Sequence, residues 1–235
     1  MPGENEGAAV HAHYVNTTAG CYNHLMAQLP TAAQVQARLR DSFALDEQWG
    51  LTMGLPDGDT KEAALRQLAD LLEKECVRYA VIGGIAVQLY TEEPRTTRDI
   101  DVALASYEDL PRIALEQAGF EHEGRFDHSD NWRAPGSAPR KQRTAVQFMA
   151  DQLTPGSVER AQTFDLPGMR LRVAKLPDLV LLKLEAAEEP RRRPSKRRSD
   201  AADVSRLLEE HPELEQELRG VRERLAHVDD MIRGR

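Results

Sequence analysis

Asp99 and Asp101 stand one residue apart inside the apolar run RDIDVAL, residues 98–104. In an extended strand, residues i and i+2 share a face, so both carboxylates project together while Ile100, Val102 and Leu104 point the other way. Carboxylates held that close repel and raise each other's pKa unless a cation lies between them. A hard divalent ion such as Mg²⁺, or Mn²⁺ in its place, takes oxygen ligands and suits the pair. An exposed acidic edge strand, its charges blocking aggregation, accounts for the same pair more plainly. The second chemical feature is Gly83-Gly84, which ends the apolar run RYAVI. Backbone N–H groups at the start of a helix hold anions, and glycine lets a phosphate come close; a tight turn is the plainer account here too. Together the two features supply both halves of one reaction. A cation bridges the phosphates of a nucleotide while backbone amides hold the terminal ones, and two ions about 3.5–4 Å apart can clamp the entering and leaving oxygens.

The surrounding elements must bring these residues together. Asp59 or Thr60 can cap a helix over KEAALRQLADLLEKEC, whose leucines recur at helical spacing. A strand over 78–82 breaks at the glycines into the short helix IAVQLYT. TEEPRTT is a loop because Pro94 constrains its neighbours, and 98–104 is a strand. YEDLPRIALEQAGF is expected as one helix ending at Gly119. Residues 121–142, polar with scattered Gly and Pro, are expected as a mobile loop after a short strand, and RTAVQFMA, 143–150, as a third strand. Within that loop His122, His128, Asp127 and Asp130 could form a metal site, though a flexible cover over the cleft fits better, and Trp132 could stack on a base. GMRLRVA reads as a strand feeding the apolar helix KLPDLVLLKLEAAEE. The basic interruption PRRRPSKRR follows, then a helix capped by Ser199 or Asp200, then an amphipathic helix from Pro212. The expected divisions are a weakly ordered or helical extension over 1–58, an α/β domain over 59–170 and a helical domain over 171–235. In the extension, Val35, Leu39 and Phe43, with Ala32 as a further candidate, fall on one side of a possible helix, and His11, His13 and His24 match no metal-site spacing.

The chain has 235 residues, 40% hydrophobic and 30% charged, with net charge −8. That charge argues against a general nucleic-acid-binding protein but not against a local basic patch. Cys21 and Cys76 are the only cysteines, too few for a disulfide framework or a zinc quartet, so a reducing cytoplasm is the expectation. No apolar run approaches the roughly 20 residues of a membrane span, and MPGENEGAAVHAHYV shows neither the basic nor the apolar part of a secretion signal.

The pattern GG…RTTRDIDV resembles the signature of the DNA polymerase β-like nucleotidyltransferase superfamily. Its Arg-x-Thr-x-Asp-Ile-Asp form resembles the AbiEii/AbiGii-type abortive-infection nucleotidyltransferases and the MenT-like toxins. The later stretch, a helix carrying a lysine, then arginines, then Asp-x-x-Asp, is similar to that family's second half, so the resemblance covers about 62–210. It implies an α+β/α/β nucleotidyltransferase fold, a mixed sheet flanked by helices, followed by a helical C-terminal domain. It also implies an NTP substrate held at Gly83 and Gly84, Mg²⁺ on Asp99 and Asp101, nucleotide contact by Lys183, and phosphate contact by Arg95. Asp203, with Asp200 as its alternative, matches the acidic residue that follows the lysine. The residues alone leave plainer roles open: Lys183 is costly in an apolar helix unless paired or at a cleft, Asp203 suits a first helical turn, and Arg95 can be a solvated loop residue. One departure stands out. Relatives carry a third carboxylate on a neighbouring strand to activate the attacking hydroxyl. In TAVQFMAD that slot falls on Gln147, a neutral amide, with Asp151 four residues on.

Arg191, Arg192, Arg193, Lys196, Arg197 and Arg198 form a basic run that could bind an RNA backbone, the acceptor end of a tRNA being the resemblance's choice, or an acidic antitoxin. The sequence thus points to a Mg²⁺-dependent transfer of a nucleoside monophosphate to RNA by a toxin. A small-molecule transferase of the aminoglycoside type, and a binding protein without turnover, remain the alternatives.

Overall fold

The computed structural model describes residues 30–56, 58–93 and 96–233. Arg95, His11, His13, His24 and Cys21 lie outside the described residues. No helix among the described residues is long and apolar enough to cross a membrane.

Helix α1, Ala32–Met53, opens on a capping box in which the Thr31 side chain accepts from the Gln34 N–H and the Gln34 side chain reaches back. Helix α2, Lys61–Lys74, is capped by Thr60. Asp59 is spent elsewhere: it is buried and accepts from the N–H groups of Ser137 and Ala138. Strand β1, Tyr79–Ile82, runs straight into helix α3, Gly83–Tyr90, and strand β2, Asp99–Leu104, follows. The expected helix over 107–120 is interrupted by Pro111 into a 3₁₀ turn, Tyr107–Asp109, and a short helix α4, Arg112–Gln117, because proline has no N–H to donate to the preceding turn.

Residues 121–142 are not a mobile loop. They supply β3, Glu121–Arg125, and β4, Asp130–Arg133, an antiparallel pair with a bulge between His122 and Gly124. Trp132 is fully buried and its Nε1 donates to Asp130, itself fully buried, which also receives Arg112 and His122. The expected base stack on Trp132 and metal site at His122, His128, Asp127 and Asp130 are therefore replaced by a buried polar network that fixes the hairpin. After β5, Ala145–Met149, come three elements: α5, Thr154–Arg160, β6, Gln162–Leu166, and β7, Met169–Val173. The boundary expected at 170–171 falls inside β7. Helices α6, Leu176–Glu188, α7, Pro194–Glu210, α8, Leu214–Glu217, and α9, Val221–Arg233, complete the chain. Helix α7 starts at Pro194, five residues before the expected cap at Ser199, because proline at the first position fixes a helical φ and costs no hydrogen bond there.

The seven strands form one mixed sheet in the order β3-β4-β5-β2-β1-β7-β6. β1 is antiparallel to β2 and parallel to β7, and β2 is parallel to β5. One face carries Tyr79, Val81, Ile100, Val102, Val146 and Phe148 into a large core with leucines of α2, with Val35, Leu39 and Phe43 of α1, and with Val204 and Val228 of the C-terminal helices. The other face has a small apolar patch at Ala80, Ile82, Ala103 and Ala174 under Val158 of α5. The polar row carrying Asp99 and Asp101 lies on this second face.

Candidate active site

Register alone assembles the centre. Ile82 pairs with Asp101 across β1 and β2, so Gly83, one residue further, comes to lie against the Asp101 carboxylate. Gly83 has φ +66, and a Cβ built there would meet Asp101 Oδ2 at 1.9 Å. Only glycine satisfies both the left-handed backbone and the missing volume. Gly83→Ala is therefore expected to cost about 1–2 kcal/mol of stability through the left-handed backbone, and to displace the carboxylate enough to abolish transfer; thermal melting and an activity assay read the two effects separately. Gly84 packs differently: a Cβ there would lie 2.5 Å from Thr97 Oγ1, so this glycine lets the 96–98 segment close against α3 before it enters β2.

Across β2 and β5, Asp99 lies opposite Ala145 and Asp101 opposite Gln147. Gln147 thus fills the slot beside the carboxylate pair, and its Nε2 donates a 3.3 Å hydrogen bond to Asp99 Oδ2. Asp151 is committed to α5, where Oδ1 accepts from the N–H groups of Leu153 and Thr154.

Lys183 projects from α6 with its side chain 12% exposed. Its Nζ reaches Asp200 Oδ1 at 2.7 Å and Asp203 Oδ2 at 2.9 Å, both on α7 and both buried. Arg192 Nε holds the other oxygen of Asp200 at 3.0 Å. Burial alone would depress the lysine pKa, but the two aspartates outweigh it and hold the pKa above the ordinary lysine value. Asp101 behaves oppositely. Burial pushes its carboxyl up to about 6, Lys183 pulls it down, and Asp99 pushes it up again.

The pair separates two cavities. A small one, about 190 Å³, is lined by Gly83, Asp101, Gln147, Lys183 and Arg192. A larger one, about 980 Å³, is lined by Asp99, Thr97 and Lys61, by the C-terminal turns of α1, and by Arg133, Lys141 and Lys196. The donor set fits a divalent cation. Two carboxylates share a face, and the missing Cβ of Gly83 leaves room for the Asp101 carboxylate to lie there. Among the described residues, no cluster of three or more His, Cys, Asp or Glu side chains could hold a metal. Asp99 and Asp101 would therefore hold the ion together with phosphate oxygens and water, the usual habit of Mg²⁺.

Lys61 escaped the sequence reading. It is buried, donates from Nζ to the Thr97 carbonyl at 3.0 Å, and pairs with Asp46 of α1. Burial lowers its pKa against the pull of Asp46 and Asp99. The signal was present: a lysine directly after the Thr60 cap sits at the positive end of a helix dipole, where an acid is favoured.

The basic run divides. Arg191, Arg193, Lys196 and Arg198 are exposed, and Lys196 reaches the larger cavity. Arg192 turns inward to Asp200. Arg197 is corrected outright: it is buried, and its Nε donates at 2.7 Å to the Ala187 carbonyl. It satisfies an orphan acceptor at the end of α6 and is not available to a nucleic acid.

Several solved structures are similar to this chain at low identity. An antigenic nucleotidyltransferase-like protein from Paracoccidioides brasiliensis shares 20% identity over 70% of this chain and 84% of that one, with a TM-score of 0.46. The antibiotic-resistance factor ANT(2'')-Ia shares 14% over 69% and 92%, with a TM-score of 0.43. Lincomycin-bound lincosamide adenylyltransferase LnuA shares 16% over 63% and 96%, with a TM-score of 0.43. No curated protein matches the chain. The family described as "Nucleotidyl transferase AbiEii toxin, Type IV TA system" matches residues 64–233. Since that span runs from α2 to α9 and covers well over half of the chain, the protein belongs to the AbiEii family of nucleotidyltransferase toxins.

Proposed function

We propose that this nucleotidyltransferase moves a nucleoside monophosphate from an NTP to a hydroxyl of RNA, with tRNA as the favoured acceptor and Mg²⁺ or Mn²⁺ held by Asp99 and Asp101. The observation that carries the reading is the carboxylate pair standing between two cavities, one beside Gly83 and Lys183, the other beneath a basic rim. The triphosphate would enter the first, with Gly83 giving backbone access and Lys183 and Arg192 offsetting charge. The acceptor would enter the second. Its oxygen attacks the α-phosphorus, the bond from that phosphorus to the bridging oxygen breaks, and pyrophosphate leaves. The bound cation would draw charge from the phosphoryl oxygens. Residues 59–170 would supply the sheet and its carboxylates, and the helices after β7 the lysine that faces them. Arg95 would add phosphate contact.

Two of the acidic groups on the acceptor side are committed, Asp46 to Lys61 and Asp59 to backbone N–H groups, while Glu47 and Asp99 line it as well. Lys141 and Lys196 form no ion pair with a described residue. That balance favours a polyanionic acceptor over an aminoglycoside. The exposed arginines of the 191–198 run extend the same surface, and an acidic antitoxin would compete for it.

The Gln147 amide cannot take the acceptor's proton, which Asp99 or water must receive. Gln147→Ala is accordingly expected to slow transfer by no more than about tenfold, because a working general base would be worth 10²–10⁴. Single-turnover rates on the variant check this.

The deciding experiment incubates the protein with Mg²⁺, each α-labelled NTP in turn, and total tRNA. Label on RNA that disappears in Asp101→Ala supports the reading, and RNA binding should weaken steeply with salt. Label on an added aminoglycoside alone would move the protein to the small-molecule class. Absence of label anywhere would make it a binding protein.

A further inference from the structure

We infer that Trp49, on a helix outside the family-matched region, is the platform on which an unpaired base of the RNA acceptor stacks as its hydroxyl approaches Asp99. The inference rests on the RNA reading above and deepens it.

The family match begins at residue 64, yet the wall of the larger cavity opposite its basic rim is built by residues 46–61. Helix α1 supplies Asp46, Glu47, Trp49, Gly50 and Leu51 of that wall, so the acceptor side owes part of its shape to an element outside the matched span. The wall is firmly seated. Val35, Leu39 and Phe43 enter the main core, Ser42 Oγ donates to the buried Gln88 side chain at 2.8 Å, and Asp46 pairs with Lys61. Since Lys61 in turn holds the Thr97 carbonyl, α1 is tied to the segment that leads into Asp99.

On this wall Trp49 lines the cavity while 44% exposed. The guanidinium of Arg98 lies 5.1 Å from its ring centroid, and Arg98 is the residue immediately before Asp99. An exposed indole beside an arginine plane is the arrangement on which splayed bases stack, because every base offers a π-face and arginine adds a cation–π contribution. Lys141 and Lys196 line the same cavity and can meet the flanking phosphates. At about 980 Å³ the space is at the upper end of the roughly 300–1,000 Å³ usual for small-ligand sites. The aromatic surface thus lies on the Asp99 side of the pair, and the NTP-binding groups Gly83 and Lys183 lie on the other. This separation assigns Trp49 to the acceptor and not to the incoming nucleotide.

The test uses a property of the chain. It has two tryptophans, and the second, Trp132, is fully buried. Quenching of tryptophan fluorescence by a short single-stranded oligoribonucleotide therefore reports on Trp49, with no need for turnover. Wild-type protein should show saturable quenching. Trp49→Ala should weaken oligoribonucleotide binding and raise the KM for the RNA acceptor by about 5- to 150-fold, the worth of one stacked base, and Trp49→Phe should restore most of both. Wild-type protein that labels RNA without quenching, or a Trp49→Ala variant whose binding and KM are unchanged, overturns the stacking assignment and leaves the RNA reading standing. Wild-type protein that neither binds nor labels RNA overturns the RNA reading and this inference with it.

Discussion

Replacing Asp101 by asparagine is expected to abolish nucleotidyl transfer, a loss on the order of 10³-fold or more for a group that stabilises transition-state charge, while making the metal-free protein more stable. The two effects have one cause. Asp101 sits half-buried between Asp99 and the Gly83 turn, where its ionised form is disfavoured by desolvation and by the neighbouring carboxylate. Its folded pKa, about 6, exceeds the usual carboxylate value, so between about pH 4 and 6 the folded protein keeps a proton that the unfolded chain has released. Wild-type stability must therefore fall as pH rises through that window, and above it the full cost of the ionised group is present. Asparagine carries no such cost. Above pH 6 Asp101→Asn should melt a few degrees higher in chelator, a gain on the order of 1 kcal/mol, and below pH 4 the two curves should converge. Added Mg²⁺ should raise the wild-type Tm and leave the variant's unmoved, since a ligand stabilises only the state that binds it. A variant that melts lower than wild type at pH 8 in chelator would show that the carboxylate is satisfied without a cation.

The legibility of this centre follows the range of the interactions involved. Period-two alternation placed Asp99 and Asp101 on one face from local sequence, and the β1–β2 register then brought Gly83 against Asp101. The slot at Gln147 follows from the family resemblance, and the β2–β5 register sets Gln147 opposite Asp101. Long-range choices were less legible. Trp132 and Asp130 lie in a polar stretch that reads as a loop from sequence. Their burial depends on Arg112 and His122, which arrive from α4 and β3 to satisfy the carboxylate. Arg197 was grouped with its neighbours by charge, but one turn of α7 points it inward to an unpaired carbonyl while Lys196 and Arg198 face water. Helix α1 is legible from the spacing of Val35, Leu39 and Phe43, but its place at the site is not. Its residues are unremarkable in type, and only the Asp46–Lys61 pair and the cavity wall reveal that it reaches the carboxylates.

Lys183→Met is expected to cost the fold the most, about 3–5 kcal/mol, because it strands buried charge. Asp200 and Asp203 are both buried, and the lysine is gripped by both. Removing it leaves Asp200 with Arg192 and withdraws from Asp203 a cation that offsets its burial. The lysine's raised pKa means its charge is present throughout the neutral range and would be lost only as pH climbs past its elevated value. Stability can be returned without function. Adding Asp203→Leu to Lys183→Met removes the stranded carboxylate as well, and a pair replaced by apolar side chains of similar size is often close to neutral. The double variant should recover much of the denaturation midpoint lost by the single one. Transfer should stay lost, because Lys183 is also the strongest of the groups that pull the Asp101 pKa down, and without it the carboxylate is harder to ionise. Recovery of both stability and transfer would reduce Lys183 to a packing residue. Recovery of stability alone would place it where the geometry does, joining the helical half of the chain to the carboxylate strand.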